Sequence, residues 1–171
     1  TDAFVEAARL CLRAGCHHVL VDAADDGLLA ATLSPLGNPG ASLDARSMHL
    51  ARVVEGIAST GMAVGVVLTV EELAPSGLSP AEGITIGQRA VTHGASFLVV
   101  RAGTARLAAR WSRETRMGED ETWMASALWL RGRVGVPVWA AGPIGDLAVA
   151  RSIAGDAGLA GVIDWKPGGS P

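Results

Sequence analysis

A chain of 171 residues and 17.4 kDa suits one domain with room for a core. Its 14 basic and 17 acidic residues leave a formal charge of −3, which argues against a generally basic nucleic-acid-binding surface. At 49% hydrophobic and 18% charged, the sequence is too apolar and too weakly charged for a disordered chain.

The elements alternate along the chain. Residues 2–15 read as a helix with Phe4, Ala7, Ala8 and Leu12 on one face and Gly15 as its stop. The run His18-Val19-Leu20-Val21 reads as a buried strand ending at Asp22. Residues 43–60 form the next predicted helix, with Met48, Val53, Ile57 and Ala58 turned inward. Residues 63–69 are the clearest strand. Ser79-Pro80-Ala81-Glu82 then opens a helix: a Ser cap, Pro at the first position and Glu at the third. That helix runs to about Gly94. Phe97–Val100 is a strand, 120–133 a helix carrying Trp123, Leu128 and Trp129, and Val136–Ala141 a strand. Asp146 caps a helix to about Gly155, and Gly161–Ile163 is the last strand.

Five apolar, unalternating strands joined by amphipathic helices predict a parallel α/β sheet covered on both faces. Two architectures fit the pattern: a free-standing doubly wound sheet and part of a (β/α)8 barrel, which needs about 250 residues when complete. Both put chemistry at the carboxyl ends of the strands. The stretches to interrogate are therefore 22–27, 69–72, 101–104, 142–144 and 164–166. Residues 1–167 read as one domain and 168–171 as a tail.

Cys11 and Cys16 have neither zinc-site nor disulfide-framework spacing, and read as two small buried hydrophobes in a reducing, cytoplasmic setting. No apolar run reaches the roughly 18 residues of a membrane span. The chain begins at Thr1 directly in a helix, so a longer parent protein is expected.

Several strings resemble the old yellow enzyme family of FMN-dependent ene-reductases. Leu28-Leu29, Leu33-Ser34-Pro35 and Asn38 match its L-L…L-S-P-x-x-N signature, and Gly40-Ala41-Ser42-Leu43-Asp44-Ala45-Arg46 its G-G-S-L-E-N-R. Residues 64–69 look like V-G-V-R-L-S. Residues 136–144 look like the family's I-P-V-I-x-x-G-G-I phosphate loop. The match runs nearly the whole chain. It implies a partial TIM (β/α)8 barrel, strands four to eight, within a larger flavoenzyme that moves hydride from NAD(P)H through FMN to a small-molecule substrate. Gly142, Ile144 and Lys166 would hold the cofactor phosphate, and Asp22 and Asp25 would face the substrate.

The departures from the family pattern fall on its chemical positions. The family's two substrate donors are here Asp22 and Asp25, and an ionised carboxylate only accepts hydrogen bonds. Its proton-donating tyrosine is Gly27, its flavin-facing arginine is Val67, and the second glycine of the phosphate loop is Pro143, which has no N–H. The resemblance thus implies either an oxidoreductase segment or a degenerate, non-catalytic barrel domain with a structural or partner-binding role.

Read by themselves, Asp22, Asp25 and Asp26 fit a strand-terminal turn whose carboxylates cap backbone N–H groups. A general base or a cation site is the functional alternative. Arg106, Arg110 and Arg113 would share one helical face, suited to an acidic partner or a coenzyme A-type ligand, or simply solvated. A nucleic-acid partner is not expected, because no aromatic residues interleave with the charge.

Overall fold

A computed structural model of the protein describes residues 1–24, 27–102, 119–142 and 147–164. The elements follow in the order α1 (Asp2–Arg13), β1 (His18–Ala23), α2 (Leu28–Leu33), α3 (Leu43–Ala58), β2 (Ala63–Glu71), α4 (Pro80–Thr92) and β3 (Ala95–Ala102). After these come α5 (Glu119–Arg131), β4 (Val138–Gly142), α6 (Leu147–Asp156) and β5 (Gly161–Asp164).

Local chemistry sets the helix ends. Gly15 takes φ +85°, a left-handed conformation that closes the turn after α1. The Ser42 hydroxyl caps α3 by accepting from the Ala45 N–H at 3.2 Å. Ser79 and Glu82 form the full capping box at the start of α4, with Pro80 in the first turn.

The five strands form one sheet in the order β1-β2-β3-β4-β5, and every neighbouring pair is parallel. A doubly wound sheet reverses its strand order at a switch point. Strictly sequential order without reversal is the barrel pattern, so the fold is a five-stranded portion of a (β/α) barrel.

The two faces of the sheet are unlike. One core cluster joins Val21, Val64, Val66, Leu68, Leu98, Val100, Val138 and Ala140 to residues from all six described helices. Each fully buried Val or Leu here stabilises the fold by about 1.5–3 kcal/mol. A second cluster on the opposite face holds Ala24, Val67, Val99 and Ala141, with Phe97, Trp139 and Ile163 packed on it. Among the described residues it contains no helix. The described members of that cluster come from the strands and from Ala24 just past β1. That interior packing is also why the strands read as unbroken apolar runs.

Three smaller expectations change. Met48 is 43% exposed, because α3 buries the Leu50, Val53, Val54 and Ile57 face instead. Leu12 is exposed, since α1 packs through Phe4, Ala8 and Cys11. Cys16 is exposed and Cys11 only half-buried, so the pair is not a buried one. Among the described residues, no helix is long and apolar enough to cross a membrane.

Candidate functional site

The strand carboxyl ends gather a small set of polar residues around the second, strand-lined face. Side chains alternate across a strand. Val21 and Ala23 belong to the helix-covered core, so Asp22 falls on the other face, in register with Val67. Val67 in turn sits opposite Val99, and Val99 opposite Trp139. One residue pair further along, Thr69 and Arg101 are register partners on β2 and β3. Gly142 ends β4, buried, opposite Asp164 on β5.

This face has a floor made from two aromatic side chains lying over glycines. A Cβ at Gly65 would overlap the Phe97 ring, and one at Gly161 would overlap the Trp139 indole. Only glycine on the neighbouring strand leaves room for these rings to lie flat across the sheet. The edge of the His18 ring meets Phe97 at 6.2 Å between centroids. Beside the rings, Val67, Val99 and Ala141 are buried in the same cluster, and Thr69 and Arg101, also buried, lie further along this face.

Asp22 is exposed, and its Oδ1 accepts from the Ala24 N–H at 2.9 Å. This is the strand-terminal turn that the sequence suggests as one of two readings. Asp25, Ile144 and Lys166 lie outside the described residues, as do Arg106, Arg110 and Arg113. Of the candidate site residues, then, the structure places Asp22 and Gly142. They stand at the ends of β1 and β4, with β2 and β3 between them. Among the described residues no group of His, Cys, Asp and Glu could hold a metal.

A second polar cluster clasps the loops at this same end. Glu72, buried just past β2, accepts from the Ser34 hydroxyl at 2.9 Å and the Leu78 N–H at 2.7 Å. Arg46, 4% exposed, donates to the carbonyls of Leu33 and Ala41 and pairs with the Glu82 carboxylate. Partial burial alone would push the Glu82 carboxyl up. Hydrogen bonds from the Ser79 N–H and hydroxyl, together with Arg46, outweigh it and hold the carboxyl below its usual range. Ser34 and Arg46 belong to the two strings that carry the family resemblance, and here both hold loops together.

Counterparts to this fold occur among solved structures. A 2-naphthoyl-CoA reductase in complex with 2-naphthoyl-CoA matches over 94% of this chain, at TM-score 0.76 and 21% identity. Morphinone reductase in complex with tetrahydroNAD matches over 94%, at 0.71 and 19%. A histamine dehydrogenase from Rhizobium sp. 4-9 matches over 92%, at 0.71 and 24%. The chain spans 26%, 42% and 24% of those three chains, respectively. No protein-family model matches the chain, and no curated protein does. At these identities the likeness establishes the fold: a parallel (β/α) barrel portion of the kind found in these reductases and this dehydrogenase.

Thr69, Arg101, Ser34 and Glu72 carry the polar chemistry of this end, and of these Ser34 alone lies in a motif, the L-S-P string. The signal for Arg101 is positional, an arginine directly after the apolar run 97–100. A separate groove of about 540 Å³ lies between Arg131, Pro137 and Gly158, at the amino ends of β4 and β5. Arg131 Nε closes on the Gly158 carbonyl there at 2.7 Å. This groove is at the wrong end of the strands for barrel chemistry.

Proposed function

We propose that the chain is the cofactor-bearing portion of an old-yellow-enzyme-like, FMN-dependent oxidoreductase, a segment of a larger cytoplasmic flavoenzyme. The observation that carries this reading is the sequential parallel sheet, matched over more than nine-tenths of the chain by a reductase and a dehydrogenase barrel. The strings at 28–46 and 136–144 point the same way.

At the end of the sheet where a barrel holds its cofactor, Gly142 closes β4 beside the buried cluster of Val67, Val99 and Ala141, with the buried Thr69 and Arg101 further along the same face. Gly142, Ile144 and Lys166 are the residues proposed to hold the phosphate. Gly142 and Ile144 would do so through backbone N–H groups where β4 leads towards α6, and Lys166 as a point charge. Bound FMN would supply hydride transfer between NAD(P)H and a small-molecule substrate. The protein positions the two and sets the polarity around them. Asp22 and Asp25 would face the substrate as acceptors, which suits a substrate carrying N–H or O–H donors.

The second reading, a barrel domain without catalysis of its own, has one observation in its favour. The Asp22 carboxylate is already engaged by the Ala24 N–H and otherwise faces solvent.

Titration of the intact protein with FMN, followed by the visible absorption of bound flavin, separates the two. Saturable binding followed by bleaching with NADH or NADPH supports the oxidoreductase. Absence of binding with FMN in excess leaves the non-catalytic domain.

A further inference from the structure

Two helices of this chain end in the same way. After α1 the Cys16 N–H donates to the Cys11 carbonyl at 3.0 Å and the Gly15 N–H to the Leu12 carbonyl at 3.0 Å, with Gly15 at φ +85°. After α6 the Leu159 N–H donates to the Ala154 carbonyl at 2.9 Å and the Gly158 N–H to the Gly155 carbonyl at 3.0 Å, with Gly158 at φ +68°. This paired bonding is the Schellman cap, in which the residue after the left-handed glycine folds back towards the last turn of the helix. The two residues joined by the longer bond are commonly an apolar contact pair.

At α6 that pair is Ala154 and Leu159, both buried in the helix-covered core. At α1 it is Cys11 and Cys16. Cys11 is half-buried and packs on the same core, whereas Cys16 is exposed. Two free thiols thus stand where the other cap has an apolar pair, and one of them is open to solvent.

The spacing alone conceals this. A continuing helix would put residues 11 and 16 about 140° apart around its axis. The left-handed Gly15 cancels that separation. A carbonyl oxygen sits about 2.4 Å from its own Cα, and an amide nitrogen about 1.5 Å from its own. The 3.0 Å bond therefore holds the Cα atoms of Cys11 and Cys16 within about 7 Å of each other. Disulfides span about 4.4–6.8 Å between Cα atoms.

We propose that Cys11 and Cys16 form a reversible dithiol–disulfide pair, a redox-modification site whose oxidant is a small-molecule disulfide of the glutathione class. The exposed Cys16 thiolate attacks one sulfur of the oxidant, forms a mixed disulfide and releases one thiol. The Cys11 thiolate then attacks the Cys16 sulfur and releases the second. The two cysteines lose two electrons and two protons between them, and the oxidant takes up both as two free thiols. The new bond ties the end of α1 to the residues leading into β1, an edge strand of the sheet. The site lies at the amino end of β1, away from the strand carboxyl ends, and it is independent of the flavin reading.

The test equilibrates the intact protein with defined ratios of reduced and oxidised glutathione, once in buffer and once in unfolding urea. Mass and free-thiol titration after acid quenching give the products. The folded wild type should pass from two free thiols to none as a monomer, without retaining glutathione. Cys11→Ser should stop at glutathione bound to Cys16. The equilibrium constant for the internal disulfide should fall by about tenfold or more in urea, where only the flexible chain brings the thiols together.

Glutathione held on Cys16 with Cys11 still free in the folded wild type overturns the proposal. So does a chain whose thiols both stay free under oxidised glutathione, or one whose only oxidised product is a linked dimer. A constant in urea equal to or above that in buffer also overturns it, because the cap then does nothing to join the pair. Both of these arms use the wild-type chain, so the outcome stands even where Cys11→Ser does not fold.

Discussion

The Arg46 guanidinium, rooted in α3, pairs with the Glu82 carboxylate in the first turn of α4 and donates to the Leu33 carbonyl at the end of α2. One side chain thus ties three helices together around the loops at the carboxyl end of β1 and β2. Removing it leaves Glu82 without its cation and two carbonyls without a donor. Arg46→Met should therefore cost about 3–5 kcal/mol of stability, read from urea denaturation midpoints. A loss below about 1 kcal/mol would show that the pair is solvated and dispensable.

The same pair gives stability a pH dependence. The Glu82 carboxyl is held below its ordinary value, about 4.3 for glutamate, so the native state favours its ionised form. Its contribution is present above that ordinary value and is lost as pH falls through the lowered native one. Unfolding midpoints of the wild type should drop more steeply below about pH 4 than those of Glu82→Gln. The two curves should run parallel above about pH 5. Parallel curves throughout the acid range would show that Glu82 titrates alike in both states.

Much of this fold is legible in the sequence because the deciding signals are local. Ser79-Pro80-Ala81-Glu82 states its own cap, and the structure forms the whole capping box. Strand order is a different matter. It depends on contacts among residues far apart in the chain, so the apolar runs permit a doubly wound sheet and a barrel equally. Helix α2 goes unread because six residues carry too little periodicity, and its Leu33 merges into the L-S-P string.

The candidate site shows the same division. Asp22 and Gly142 are readable as strand ends. Arg101 is readable only as the first residue of the stretch 101–104, past a predicted strand that stops at Val100. The strand runs to Ala102, and those two extra residues put the guanidinium on the strand-lined face. Whether an arginine belongs to a solvated run or to a buried sheet face is settled by where the sheet ends, and periodicity places element ends poorly.

The aromatic floor makes a further testable pair. Gly65→Ala and Gly161→Ala each place a methyl group where a ring now lies, against Phe97 and Trp139 respectively. The strand backbone cannot retreat within a hydrogen-bonded sheet, so the rings must leave their rotamers. Each variant should lose about 1–3 kcal/mol. Gly161→Ala alone should also change the fluorescence of the chain through Trp139. Retention of wild-type stability in both would mean that the rings are free to swing off the sheet.

The last prediction concerns Asp22 near the end of β1 and the candidate residue Asp25. Asp22 uses one carboxylate oxygen to hold the Ala24 N–H, which leaves the other available towards a ligand. A carboxylate there repels a phenolate or any other oxygen gathering negative charge, whereas an imidazole or amide N–H would donate to it. The double substitution Asp22→His with Asp25→Asn should therefore raise the affinity for phenolic ligands by about tenfold or more in FMN-loaded protein, the value of one good hydrogen bond to a charged group. Perturbation of the flavin absorption by the added phenol provides the readout. The single variant Asp22→Ala serves as the control: loss of the turn hydrogen bond should cost about 0.5–1.5 kcal/mol of stability without any gain in phenol binding. If flavin is bound and the double variant gains no affinity, the aspartates do not face the ligand. The work of Asp22 is then confined to the turn hydrogen bond with the Ala24 N–H.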